Sequence, residues 1–336
     1  MSDKYSPVRN YFELTKQIRE QREKGEDYSE IYTEREKLKP KVQKVLADDT
    51  REAVSDLLQS DVEIDFSLKK MPCWLTVSRK DRLEAVKWEY AGYMNDDERK
   101  ALKKKFEDEG YAADVWKVGG RATTPIILDE DMPHFYVLQS LGHETAHHYF
   151  FGKPLGKNYG ESRECTVINE TSANIVGDGV RDYRLSKMPE RARLRKAAIR
   201  GMQKEKITKE RLGKIVQTVE GLLSEEKIGK AETYMESERK KLNKEYDAHM
   251  ETLNQATVVT FKTYGFDSKN GITKTLNDLR FECPDLKDFA DTVGQTASYK
   301  QVEGALQQKR GDNEYYAFRA LGGYSDWNAR GRSGGR

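Results

Sequence analysis

The chain has 336 residues, 35% charged and 36% hydrophobic, and its 59 Lys and Arg against 57 Asp and Glu leave a formal charge of +2. A balance this close argues against both a nucleic-acid binder and a membrane-surface protein, and the length suggests one large domain or two to three small ones. No signal-like apolar run follows Met1 and no stretch approaches the roughly 18 apolar residues that span a bilayer, so a soluble, cytoplasmic protein is expected.

So many charges require amphipathic helices with thin apolar stripes. The three cysteines, Cys73, Cys165 and Cys283, are odd in number, far apart and without CxxC spacing, as expected of free thiols in a reducing compartment.

Helical periodicity runs through residues 10–60, as in Tyr11, Leu14 and Ile18 and again in Val42, Val45 and Leu46, so 1–69 reads as an N-terminal helical region. From about residue 72 the texture changes. Residues 73–77, 86–90, 113–118 and 123–128 are short, β-branched or aromatic, and read as strands, with a helix over 96–110 capped by Asp96 between the second and third. Pro125 suits the fourth strand to a sheet edge, where it could pair with an extended peptide.

Asp131 is placed to cap a helix that tolerates Pro133 in its first turn and stops at Gly152. After a Gly- and Pro-punctuated loop, a second helix carries residues 167–185. Beyond 190 the pattern is nearly all helical, with a charged stretch over 231–260. The fold class expected is therefore α+β and predominantly helical: a catalytic core over 70–190 with a small sheet, a C-terminal helical domain over 191–325, and a disordered tail over 326–336 that is dominated by Gly, Arg and Ser.

The first of the two helices contains His143-Glu144-Thr145-Ala146-His147, an HExxH motif. Spacing of four residues puts both imidazoles on one helical face, roughly 6 Å apart at Cβ, which suits two bonds of about 2.1 Å to one Zn²⁺. Glu144 points about 100° round the helix, so it can flank the metal without binding it and act as general base toward a zinc-activated water. A catalytic zinc needs a third protein ligand, and Asn169-Glu170-Thr171-Ser172-Ala173, 23 residues after His147, supplies Glu170. Ala173 and Gly177 are small residues that let this helix approach the first. Asn174 and Asp178, one and two turns past Glu170, are candidates to hold the other ring nitrogens of the histidines, although Asp178 could equally pair with Arg181. His134 and His148 read as packing or surface residues.

HExxH followed by NExxA resembles the gluzincin zinc metallopeptidases, and is closest to the bacterial predicted aminopeptidases. Gly177-Asp178 after the glutamate, Tyr90-Ala91-Gly92-Tyr93 and Val118-Gly119-Gly120 upstream, and Leu253-Asn254-Gln255-Ala256 with Thr263-Tyr264 downstream are similar to segments of that group. The resemblance spans roughly residues 70–300 and implies a zincin-like core, one zinc per chain, peptide or protein substrates, and Tyr264 as the donor to the transition-state oxyanion, with Tyr183 as the fallback. This chain departs from the pattern in a longer loop between His147 and Glu170, in lacking an N-terminal membrane anchor, and in lacking the Gly-x-Met-x-Asn strand that engages a free amine. Exopeptidase and endopeptidase action both stay open, and nothing in the sequence sets an oligomeric state.

Two other readings compete. One is a catalytically silent helical interaction protein on a peptidase scaffold, against which three non-cysteine ligands leave a zinc position open. The other is a nucleic-acid-linked HExxH protease, which by resemblance uses a third histidine. His249 is the only one left downstream, and the basic runs are more simply solvated helix faces, so no nucleic-acid partner is expected.

Overall fold

The computed structural model describes residues 4–188, 193–246, 250–263 and 271–320. Two antiparallel helices open the chain, α1 (Ser6–Lys24) and α2 (Ser29–Leu58). Short strands follow: β1 (Phe66–Lys69), β2 (Cys73–Ser78) and β3 (Ala85–Gly92), then α3 (Asp96–Asp108), β4 (Ala112–Lys117), β5 (Gly120–Arg121) and β6 (Ile126–Asp129). The HExxH motif lies on α4 (His134–Phe150), which leads through the short α5 (Pro154–Lys157) to α6 (Arg163–Lys187). The remainder is helical: α7 (Arg193–Ser224), α8 (Ile228–Tyr246), α9 (Gln255–Thr263), α10 (Gly271–Glu282), α11 (Leu286–Gly294) and α12 (Tyr299–Ala320). The molecule is thus α+β and mostly helical. Among the described residues no helix is long and apolar enough to cross a membrane.

The strands form two small sheets, one ordered β1-β6-β5 and the other β3-β2-β4. This corrects the edge-strand expectation for residues 123–128. β6 lies in the middle, parallel to β1 and antiparallel to β5, so the edge strands are β1 and Gly120–Arg121. Pro125 precedes the strand, where its missing N–H costs no ladder bond.

Two expected helix caps also move. Asn95, not Asp96, caps α3: its side chain accepts from the N–H groups of Asp97 and Glu98 while Glu98 reaches back to the Asn95 N–H. Asp131 does not cap α4, whose N-cap position is the extended Pro133. Its carboxylate instead pairs with Arg22 and Arg35, both at 3.0 Å. The charged stretch over 231–260 spans most of α8 and the start of α9, with residues 250–254 between them.

One hydrophobic core joins α1 and α2 to β1, β6, α4, α6 and α10–α12, with Leu46, Leu68, Leu141, Ile168, Val176 and Phe289 at its centre. A separate cluster joins α7 and α8 to the start of α9. A third packs Cys73, Leu75, Val77, Ala113 and Val115 of the second sheet against Leu102 and Phe106 of α3.

Two buried ion networks fasten the N-terminal helices to the segments that carry HExxH and NExxA. Arg35, fully buried on α2, meets Glu130 and Asp131 just before α4, with Lys39 adding a 2.7 Å contact to Glu130. Asp49, a few turns further along α2, pairs with Arg184 near the end of α6, both of them buried.

Candidate active site

Helices α4 and α6 cross where neither has a side chain to keep them apart. A Cβ on Gly177 would stand 2.6 Å from the Gln139 carbonyl oxygen and 3.0 Å from the His143 nitrogen, so only glycine permits this approach. The crossing brings Glu170 to the two histidines. His143 Nε2 lies 3.0 Å from His147 Nε2 and 3.4 Å from Glu170 Oε2, and His147 Nε2 lies 3.7 Å from Glu170 Oε1. Tetrahedral ligands on bonds of about 2.1 Å stand about 3.4 Å apart, so the three donors have the spacing of one zinc shell. Glu144 groups with the two histidines, one carboxylate oxygen and a ring nitrogen of each lying within 4.8 Å of one another.

Both imidazoles are oriented from behind. Asn174 Oδ1 accepts from His143 Nδ1 at 3.1 Å and is itself steadied by the Gln139 amide at 3.1 Å. Asn169 Oδ1 accepts from His147 Nδ1 at 2.8 Å while its amide donates to the Leu155 carbonyl. With each Nδ1 kept as a donor, each Nε2 becomes the atom that offers its lone pair forward. Asn174 sits where the sequence suggested. Asn169 was missed, although it is the first residue of NExxA, because spacing alone does not say that it faces the second histidine. Asp178 does not reach an imidazole nitrogen that Asn174 and Asn169 already hold; it lies 2.7 Å from Arg181, the alternative weighed for it.

Tyr159 was also missed. It lies between α5 and α6, and its hydroxyl donates to Glu170 Oε1 at 2.6 Å with its ring 5.6 Å from that of His147. The only sequence signal was the length of the loop that carries it. Tyr264 lies outside the described residues, and Tyr183 is turned to α2, where its hydroxyl bonds Asp56.

Electrostatics follow from burial and crowding. Burial opposes charge on His143, but Glu170, Glu144 and Asn174 outweigh it and raise its pKa to about 9. Burial and the neighbouring His143 charge lower His147 to about 4. Burial would raise Glu170, yet both histidines and the Tyr159 hydroxyl hold it at about 2. Glu144 is pushed up to about 7, mainly by burial, with His143 opposing and Glu170 adding. At neutral pH the cluster sets one imidazolium against the Glu170 carboxylate, an arrangement a divalent cation can replace with release of that proton.

The cluster opens into a cavity of about 1280 Å³ that reaches Trp74 and Trp116 on the second sheet, Phe261 on α9 and Ile199 on α7. Gly120, on the edge strand, closes directly on the general-base candidate: a Cβ there would stand 2.3 Å from Glu144 Oε1. His148 lines the same cavity, whereas His134 is buried at the start of α4 and stacks on Phe12 at 4.9 Å. No family model, curated protein or solved structure matches the chain.

Proposed function

We propose that the chain is a single-zinc metallopeptidase of the gluzincin type, with His143, His147 and Glu170 holding the metal and Glu144 as general base. The observation that carries this reading is the donor triangle, with separations of 3.0, 3.4 and 3.7 Å and an asparagine behind each imidazole. Three protein donors without cysteine are the set of a catalytic zinc, since they leave a position for water or substrate. Bound there, zinc would supply Lewis acidity toward a carbonyl and bring an attached water to a pKa of about 7.

The rest of the chemistry belongs to the chain. Glu144, buried and with a pKa near neutrality, accepts the proton of the attacking water and returns it to the departing amine. Asn169 and Asn174 keep the imidazoles from rotating during that transfer. Tyr159 is a second candidate, beside Tyr264, for the oxyanion-stabilising role: its hydroxyl already stands at Glu170 Oε1 and can turn to donate to the developing charge. The edge residues Gly120 and Arg121 border the cavity next to Glu144, in a position to meet an extended backbone.

The test is digestion of a peptide library by zinc-loaded wild type, Glu144→Gln and Tyr159→Phe, read by mass spectrometry. Cleavage by wild type that falls about 10²–10⁴-fold in Glu144→Gln, with zinc retained, is expected. Absence of cleavage by zinc-loaded wild type, or undiminished cleavage by Glu144→Gln, would sink the reading.

A further inference from the structure

The face of α4 that carries the two histidines continues one turn past them. Phe151 follows His147 by four residues and keeps helical backbone dihedrals, so it stands beside His147 on the same face, about 6 Å further along the axis. Its neighbour Phe150 turns the other way and is fully buried in the main core. Phe151 instead lines the cavity that holds His143, Glu144 and His147, and is 81% exposed there.

That exposure does not come from a loose chain end. Gly156 of α5 packs on the backbone here: a Cβ on it would stand 2.2 Å from the Phe150 carbonyl oxygen and 2.8 Å from the Phe151 Cα. Two residues on, Lys153 donates to Asp291 of α11 at 2.7 Å and lies 3.6 Å from the centre of the Tyr149 ring, and Leu155 is buried in the core. The backbone is fastened on both sides of Phe151 while its ring stands in water. A group whose backbone is already fixed loses little further freedom when an apolar partner covers it, and aromatic rings are among the side chains that contribute most at binding surfaces.

Nor is the ring solitary. Tyr159 lines the same cavity, is 48% exposed, and places its ring 5.6 Å from that of His147. Its N–H donates to the carbonyl of Gly156, the residue packed on Phe151, so both aromatics border His147 from one fastened segment. Single exposed apolar side chains are ordinary on a surface, whereas two that share a cavity with convergent polar groups mark a ligand site. Continuity with the histidines identifies the occupant. An extended peptide advances about 3.3 Å per residue, so a ring one helical turn from His147 meets a side chain within about two residues of a bond cut at the zinc. Resting on the peptidase reading, we propose that Phe151, together with Tyr159, forms a substrate subsite that receives an aromatic or large aliphatic side chain of the peptide within about two residues of the bond to be cut.

Fluorescence anisotropy tests this without turnover. Zinc-loaded protein carrying Glu144→Gln is titrated into fluorescein-labelled, ten-residue alanine-rich peptides in which one Phe is scanned along the chain, and into the same peptides with Ser in its place. Affinity about tenfold above the Ser peptide is expected for one Phe register. Adding Phe151→Ser should abolish that preference, Phe151→Leu should keep most of it, and Phe281→Ser, on an 88% exposed residue of α10 outside the cavity, should leave it unchanged. Equal affinity for Phe and Ser peptides in every register, or an unchanged preference in Phe151→Ser, overturns the subsite. Cleavage of the same peptides by protein with Glu144 intact separates the two claims: Phe-selective binding without cleavage overturns the peptidase reading, and cleavage without Phe selectivity overturns the subsite.

Discussion

The cavity has two walls, α4 with α6 on one side and the β3-β2-β4 sheet on the other, and they are held by different means. The helical wall lies inside the main core, and its two helices are tied to α2 by Arg35 with Glu130 and Asp131 and by Asp49 with Arg184. The sheet wall rests on a small cluster with α3, and most of β3 is exposed. The residues proposed to hold the metal thus sit where displacement is costly, while the second sheet is a lightly packed layer. The difference teaches that the proposed metal site and the second sheet are separable by mutation.

The largest effect should come from the anchor of the helical wall. Asp49→Ala leaves buried Arg184 with only Glu52 and Tyr5 as partners among the described residues, and a loss of about 3–5 kcal/mol is expected in denaturant unfolding. Acid should act on the same wall through His134. Burial lowers its pKa from the ordinary 6.5 to about 4, and neither ring nitrogen has a hydrogen-bond partner among the described residues. The unfolded chain therefore binds the proton more readily. Its contribution is intact above pH 6.5, erodes as pH falls, and by pH 4 has cost up to about 3 kcal/mol. Unfolding at pH 7 and pH 4.5 should show this loss in wild type and its relief in His134→Phe.

Smaller changes sharpen the contrast. Asn169→Ala or Asn174→Ala should weaken zinc about 10–100-fold in competition with a chelator, because one imidazole is then free to turn. Gly177→Ala forces a methyl against the Gln139 carbonyl and should cost about 1–3 kcal/mol, together with some zinc affinity. On the sheet side, Asn95→Ala removes the cap of α3 for about 1 kcal/mol and should leave zinc affinity unchanged. A fall in zinc affinity there would break the separation.

The helical wall was more legible in the sequence than the sheet wall. HExxH is a local pattern on one helix, so the placing of His143, Glu144 and His147 follows from 3.6-residue geometry. Ala173 and Gly177 signalled a close partner for Glu170, and the α4–α6 crossing uses Gly177 in that way. Pairing across distance was not legible. β1 fell within the stretch read as helical although Phe66 and Leu68 alternate, and its parallel match to β6, some sixty residues on, is what moved 126–129 from edge to centre. Asp131 had a capping residue's identity but met two arginines brought from α1 and α2, and Tyr159 reached Glu170 only through a loop without periodicity.

The most direct test of the zinc site is metal content. Purified chain and its Glu170→Gln variant would be dialysed against dilute zinc, washed and measured by mass spectrometry, with unfolding curves recorded for both. One zinc per wild-type chain, and a marked loss of zinc in a variant that remains folded, is the predicted result. Wild type without zinc, or a folded variant that keeps it as tightly as wild type, would contradict the assignment of His143, His147 and Glu170 as the metal's ligands.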